Sequence, residues 1–327
     1  MVVLVVSRIS KKKGVMDQKR CAIFSCLGLG DGLIALTLSN NLFQNGLQTM
    51  TFHPFLHSLQ DWFPYLPMQG FPHKERLLLE LEGYHRFYIF FEKSQRMQQV
   101  IDFCNTNFPD RTLIINPIAT KNTDYMYWEN ARFNGALPFV DNIQNFCRDI
   151  VKLCSITKEN GIQATPSFMQ NRFPKRIVIH PTSSRQGKNW PKEKFIKVAE
   201  KLKKKGFDPC FILTQEERKD WPCTNFPTPD LVDLRDLAGF ICESGWMIGN
   251  DSGIGHLASC LGLRTLIISR SSKTSCFWRP SWSPGSVVHP SKLIPNIKGL
   301  RWRDRHWQKW ISISKVVRAF CQLVNTH

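Results

Sequence analysis

Apolar residues occur in short runs along this chain, separated by polar stretches with helical spacing. Residues 21–27 (CAIFSCL) form a continuous apolar run of the length of a buried strand. The run ends in Gly28-Leu29-Gly30-Asp31-Gly32, and residues 33–43 then read as a helix. A strand, a glycine-rich loop and a helix in that order open many α/β domains. Residues 51–83 are rich in Phe, Pro and His and show no clear period. Beyond them the pattern predicts a strand at 86–91, a helix at 94–103, a short strand at 112–116 and a helix at 142–154. Residues 161–175 hold two prolines and little periodicity, which suits an interdomain linker.

After the linker the alternation is clean. Strands are predicted at 176–180, 210–214, 246–248 and 265–269. Between them lie helices at 192–205, 237–242 and 254–261, and a closing helix spans 312–325. In the helix at 192–205, Phe195, Val198, Ala199 and Leu202 share one face. Strands that alternate with helices imply a parallel sheet covered on both faces, with ligands at the carboxyl ends of the strands. The expected domains are 16–165 and 173–327, with residues 1–15 as an extension that leaves Met16 as an alternative start.

Composition narrows this picture. A chain of 327 residues, 42% hydrophobic and 21% charged, suits about two globular domains. No apolar run approaches the ~20 residues that span a bilayer. Residues 2–6 are apolar but precede Lys11-Lys12-Lys13, the wrong charge order for a secretory signal. Eleven cysteines occur without a C-x-x-C pair. That argues against a zinc site or a disulfide framework and for a reducing compartment, the cytoplasm. The formal net charge of +18 implies an anionic partner: nucleic acid, an acidic membrane surface, or a phosphorylated or carboxylated substrate. Charge alone does not choose among them.

Three segments carry candidate chemistry. Gly28-Leu29-Gly30-Asp31-Gly32 lacks the G-x-G-x-x-G spacing of a dinucleotide loop, and its acid would repel a phosphate. Asp31 at the loop tip, exposed by Gly28, Gly30 and Gly32, reads as a base facing a cleft, or alternatively as a helix N-cap. In His180-Pro181-Thr182-Ser183-Ser184-Arg185-Gln186-Gly187-Lys188-Asn189-Trp190-Pro191, a strand ends in hydroxyls and bases before a helix opened by Pro191. Ser183 and Ser184 can donate to phosphate, and Lys188 adds a compact charge; a solvated basic loop is the plainer alternative. In Asn250-Asp251-Ser252-Gly253-Ile254-Gly255-His256, Asp251 or Ser252 can cap a helix whose free N–H groups attract an anion, and Gly253 lets it approach. An ordinary strand–turn–helix fits that segment alone, but two anion-ready loops in one half suggest a nucleotide-diphosphate site facing an acid on the other half.

Together these segments resemble the family 9 glycosyltransferases, the bacterial heptosyltransferases of the lipopolysaccharide inner core. The resemblance rests on Gly30-Asp31, on Ser183-Ser184 with Lys188-Asn189-Trp190-Pro191, and above all on Asn250-Asp251-Ser252-Gly253 followed by His256-Leu257-Ala258. It is strong over 177–270, short over 21–36 and poor over 44–160. It implies a GT-B fold of two Rossmann-like domains with parallel sheets facing across a cleft. It implies inverting, metal-independent transfer of a heptose from an ADP-sugar, with no cofactor. Asp31 would be the general base, at an ordinary carboxyl pKa of about 4. Ser183, Ser184 and Lys188 would hold the diphosphate, Asp251 the sugar, and the backbone of Ser252 and Gly253 the phosphate. His256 falls on the motif, but a helical histidine is more often a buried packing or capping residue than a ligand contact. Glu217, with Glu216, sits where a ribose or adenine contact is expected, or simply opens a solvated acidic helix.

The chain departs from the family after the strand at 265–269, where Ser269-Arg270-Ser271-Ser272-Lys273 replaces the usual glycine turn. That leaves the donor base and sugar open, and the unmatched first half leaves the acceptor open. An anionic glycolipid acceptor and peripheral contact with the cytoplasmic face of the inner membrane fit the net charge. They also fit the aromatic and basic strip at 278–282 and 301–310, although its tryptophans serve equally to pack the last helix. A nucleic-acid-binding protein is the rival class, but no RNP, helix-turn-helix or zinc pattern is present and no nucleic-acid partner is expected. An NAD-dependent Rossmann protein would need an acid after the second strand, and residues 51–57 offer none.

Overall fold

A computed structural model describes residues 19–119, 123–221, 225–296 and 301–326. The expected extension at 1–15 and Cys223 lie outside the described residues. The first half runs β1 (Arg20–Phe24), α1 (Leu29–Gln44), β2 (Gln48–Phe52), β3 (Met68–Gln69), α2 (Leu77–Leu81), β4 (Arg86–Phe90), α3 (Gln95–Asn107), β5 (Thr112–Ile115) and α4 (Phe139–Asp149). The second half runs β6 (Phe173–His180), α5 (Lys192–Lys203), β7 (Asp208–Phe211), α6 (Gln215–Lys219), α7 (Leu234–Cys242), β8 (Ser244–Asn250), α8 (Gly253–Cys260), β9 (Arg264–Ile268), α9 (Ser272–Trp278) and β10 (Gly285–Val288). Short helices α10 (Trp302–Arg305) and α11 (Trp307–Trp310) precede the closing α12 (Ile313–Asn325).

Each half holds a five-stranded sheet, in the orders β3-β2-β1-β4-β5 and β10-β9-β8-β6-β7. All the strand pairings within these sheets are parallel. Cys21, Ala22, Ile23 and Phe24 of β1 are all buried, as expected of a central strand covered on both faces. This is the GT-B architecture that the motifs imply. In each sheet the chain leaves in opposite directions from a neighbouring pair, β1/β4 and β6/β8. Such switch points leave a crevice at the carboxyl ends of the strands.

The boundaries differ from the hydrophobic pattern in instructive places. Helix α1 begins at Leu29 rather than at residue 33, so Gly30, Asp31 and Gly32 are helical. Glycine disfavours that conformation locally, and tertiary packing overrides the propensity. The predicted helix at 142–154 lies at Phe139–Asp149; beyond it, Asn40 and Asn41 of α1 and its C-cap Asn45 hydrogen-bond to the backbone of the segment that crosses back, at Ser155, Thr157 and Glu159. Side-chain amides thus satisfy an irregular stretch that forms no ladder. The unpatterned residues 51–83 contain a 3-10 turn, Leu56–Trp62, besides β3 and α2.

The two halves share one core. Leu33, Leu36, Leu56, Leu59 and Trp62 of the first half cluster with Ile241, Leu257, Ala258 and Leu261 of the second, all buried. Helix α1 packs on α8, which brings the amino ends of these helices together.

Candidate active site

Asp31 is the third residue of α1, behind an extended Gly28 at the N-cap. It therefore stands in a helical first turn rather than at a loop tip, because the loop between β1 and α1 is confined to residues 25–28. Of the three glycines expected to shape a loop, only Gly28 lies outside the helix. A side chain at Gly28 would collide with the Asp31 carboxylate. A methyl group at Gly30 would come within 2.8 Å of the His256 ring. These two positions need glycine for close approach, not for an unusual backbone angle.

The strands on either side of β1 hold this turn in place. His53, buried just after β2, accepts at Nδ1 from the N–H groups of Phe55 and Leu56, at 3.3 and 3.2 Å. Its proton therefore sits on Nε2, which donates to the Gly28 carbonyl at 3.3 Å. Burial pulls the His53 imidazole down to about 4, which keeps it neutral. From the end of β4, Glu92 accepts the Leu27 N–H at 2.8 Å. Burial, the largest cause, and then the Glu92 charge push the Asp31 carboxyl up to about 6; Asp251 adds to the rise, while a backbone hydrogen bond and Lys188 oppose it. The ordinary carboxyl pKa expected from sequence is thus corrected upward, into the range where a carboxylate serves as a base near neutral pH.

The facing wall comes from the ends of β6 and β8. Asn250 ties the two loops together: its Oδ1 accepts from the Trp190 N–H at 3.0 Å and its Nδ2 donates to the Pro181 carbonyl at 2.5 Å. Lys188 pairs with Asp251 at 3.3 Å. Ser252 is the N-cap of α8, but its hydroxyl caps nothing; it lies 3.2 Å from His180 Nδ1 instead. Gly253 abuts the other half so closely that a methyl group there would approach Leu29 Cβ to 2.7 Å and the Gly30 nitrogen to 2.9 Å. The free N–H groups of α8 therefore face the first turn of α1, with Lys188 and Asp251 beside Asp31.

Other sequence candidates fall less simply. The Ser183 hydroxyl lies 2.6 Å from Asn189 Oδ1 and 3.0 Å from the Arg185 carbonyl, so it donates within its own loop. Ser184 is exposed beside it. Glu217 completes a capping box on α6, accepting the Thr214 N–H at 2.8 Å while Thr214 caps Glu217. His256 is buried edge-on to Trp282, its Nδ1 has no hydrogen-bond partner, and burial pulls it down to about 4. The aromatic strip divides: Trp307 is buried and donates to the Gly187 carbonyl at 3.3 Å, whereas Trp302 and Trp310 are exposed. Sequence reading missed Glu92, His53 and the linking role of His180. His53 and Glu92 stand one and two residues past the ends of β2 and β4, and His180 closes β6; that position at a strand end was the only signal available.

Residues 156–283 match the model of Glycosyltransferase family 9 (heptosyltransferase). In shape the chain is similar to the Escherichia coli ADP-heptose lipopolysaccharide heptosyltransferase II, with a TM-score of 0.65 at 14% identity, over 93% of this chain and 98% of that one. It is also similar to a family 9 glycosyl transferase from Veillonella parvula, with a TM-score of 0.63 at 14% identity over 96% and 99% of the two chains. A third likeness is to the E. coli heptosyltransferase WaaC with ADP, with a TM-score of 0.63 at 10% identity over 93% and 99%. No curated protein matches the sequence. The family resemblance read from the motifs is borne out over the segment that holds both anion-ready loops, and the structural likenesses establish the GT-B fold.

Proposed function

We propose that this glycosyltransferase, whose residues 156–283 form a family 9 domain, moves a heptose or related sugar from an ADP-sugar to an anionic glycolipid acceptor of the lipopolysaccharide inner core. The observation that carries the reading is the apposition of Asp31 on α1 to Lys188, Asp251 and the amino end of α8. Breaking the anomeric bond leaves negative charge on the diphosphate. Lys188 and the N–H groups of α8 are aimed where that charge develops, so neither a metal nor another cofactor is needed. Asp31 takes the proton of the attacking acceptor hydroxyl. Attack from the face opposite the leaving diphosphate inverts the anomeric centre. Asp251, released from Lys188 as the diphosphate takes that cation, is free to hold a sugar hydroxyl.

The acceptor and the cellular location belong to the same reading. The charge of +18 and the exposed Trp302 and Trp310 beside Arg301, Arg305 and Lys309 support peripheral contact with an anionic cytoplasmic leaflet. Among the described residues no helix is long and apolar enough to cross a membrane.

Asp31→Asn tests the assignment. Turnover is expected to fall by about 10²–10⁴-fold, with ADP still raising the melting temperature as it does in the unaltered protein. Equal loss of turnover and of ADP binding would overturn the base role. Stabilisation by UDP or GDP instead of ADP would overturn the donor.

A further inference from the structure

The loop that carries Lys188 leans on a helix from the far end of the chain. Residues 184–188 are exposed, and a Cβ built at Gly187 would meet nothing within 4 Å, so hydrogen bonds rather than packing shape this stretch. Within the 3-10 turn Gln186–Lys188 and just past it, the N–H groups of Lys188 and Asn189 donate to the Arg185 and Gln186 carbonyls at 2.8 and 3.0 Å. A turn this short is a weak local structure. Helix α11 takes the carbonyls on both sides of Lys188. Trp307 Nε1–H donates to the Gly187 carbonyl at 3.3 Å, and Gln308 Nε2 donates to the Asn189 carbonyl at 2.9 Å. A carbonyl only accepts, so the amide nitrogen of Gln308 is the end that faces Asn189. Helix α11 is itself fixed. Trp307 is buried in the core of the second half. Lys194 Nζ, in the first turn of α5, donates to the Gln308 and Ile311 carbonyls at 2.6 and 3.0 Å, and Trp190 Nε1 donates to the Ile311 carbonyl at 3.3 Å.

We propose that α11 is a positioning element of the donor site: Trp307 and Gln308 hold the two carbonyls that flank Lys188 and so keep its ammonium within reach of a diphosphate at the amino end of α8. The inference rests on the donor-site reading above. A lysine side chain is a flexible four-carbon stem, so where its ammonium can go is set by where its backbone stands. The inner edge of the loop is tied to β8, because the Trp190 N–H donates to Asn250 Oδ1 at 3.0 Å. The outer edge is tied to α11. Lys188 lies between these ties, with its ammonium 3.3 Å from Asp251. A diphosphate that takes this cation from Asp251 needs only a swing of the side chain. The backbone is already ordered, so its entropy is not lost again on binding. Trp307 and Gln308 act through Lys188 and need no contact with the donor.

The test is a double-mutant cycle on ADP binding to the full chain, titrated calorimetrically to millimolar ADP. Gln308→Met keeps the length of the side chain, adds no charge and removes the donor. It is expected to weaken ADP binding by about 2- to 10-fold, the worth of one neutral hydrogen bond. Trp307→Phe keeps a ring in the core and removes the other donor; it is expected to act in the same direction, and it stands in if Gln308→Met does not fold. The second arm repeats each substitution in Lys188→Ala. With the ammonium gone there is nothing left to position, so neither substitution is expected to change ADP affinity further by as much as twofold. A merely structural role would lower the melting temperature and leave this non-additivity absent. Unchanged ADP affinity in the folded single variants, or the same fold-loss with and without Lys188, would overturn the inference and leave the donor site standing. No binding of ADP, UDP or GDP to the unaltered protein, or no loss of ADP affinity in Lys188→Ala, would overturn the donor-site reading itself, and this inference with it.

Discussion

At the scale of single residues, the fold holds the Asp31 carboxyl where ionisation is opposed. Its pKa rises from 3.8 to about 6, through burial first and the Glu92 charge second. The folded protein then holds the proton more tightly than the unfolded chain. Asp31 therefore opposes folding as pH rises from about 4 to about 6, and its full cost, about 3 kcal/mol, is reached above that window. Asp31→Asn removes the ionisation. The variant is expected to be more stable than the unaltered protein by about 1–3 kcal/mol in urea melts near pH 8, with the difference shrinking toward pH 4. A variant less stable at pH 8 would mean that the carboxylate makes bonds an amide cannot replace. Asp31 itself was legible in the sequence as an isolated acid among glycines. The groups that tune it were not: Glu92 reaches it because parallel pairing sets the end of β4 beside the end of β1, and Asp251 because α8, which follows β8, packs on α1.

Among elements, helices with one apolar face were read most closely. Helix α5 buries Phe195, Val198, Ala199 and Leu202, the face expected, and α12 begins within one residue of its predicted start behind a Ser312 cap. Helix α1 was misread at its start because it is enclosed on several sides and its first turn is glycine-rich, so no periodicity marks it. Helix α9 and strand β10 were missed because SKTSCFW and GSVV carry too few apolar positions to show a period. The same enclosure gives α1 a test. At an exposed helical site Gly→Ala stabilises by about 0.5–1 kcal/mol. At Gly30 the added methyl meets the buried His256 ring at 2.8 Å, and Trp282 lies edge-on to that ring. Overpacking typically costs about 1–3 kcal/mol. Gly30→Ala is therefore expected to lower the melting temperature by a few degrees and to weaken ADP binding through a displaced α8. A rise in melting temperature would show that α1 and α8 can part at no cost.

Across the whole molecule, the sequence suggested two α/β units joined through a polar linker, and nothing in it indicated how firmly they join. Helix periodicity identifies a buried face but not the partner that covers it. The apolar face of α8 turns toward Leu33 and Leu36 of α1 as well as its own sheet, and Trp62 stacks on Phe168 of the connecting segment at 5.6 Å. Polar contacts reinforce the junction: Asn160 donates to the Leu33 carbonyl and to Cys260 Sγ, and Arg235 pairs with Asp61 at 3.0 Å. The exposed ion pair adds little to stability, so the shared apolar core dominates. Scanning calorimetry is accordingly expected to show one unfolding transition for both halves. Leu257→Ala, at a fully buried position on α8, should cost about 2–5 kcal/mol and shift that whole transition downward without splitting it. Two separate transitions, with ADP raising only the second, would mean that the halves fold independently and that α8 presents its loops to Asp31 only when the domains happen to close.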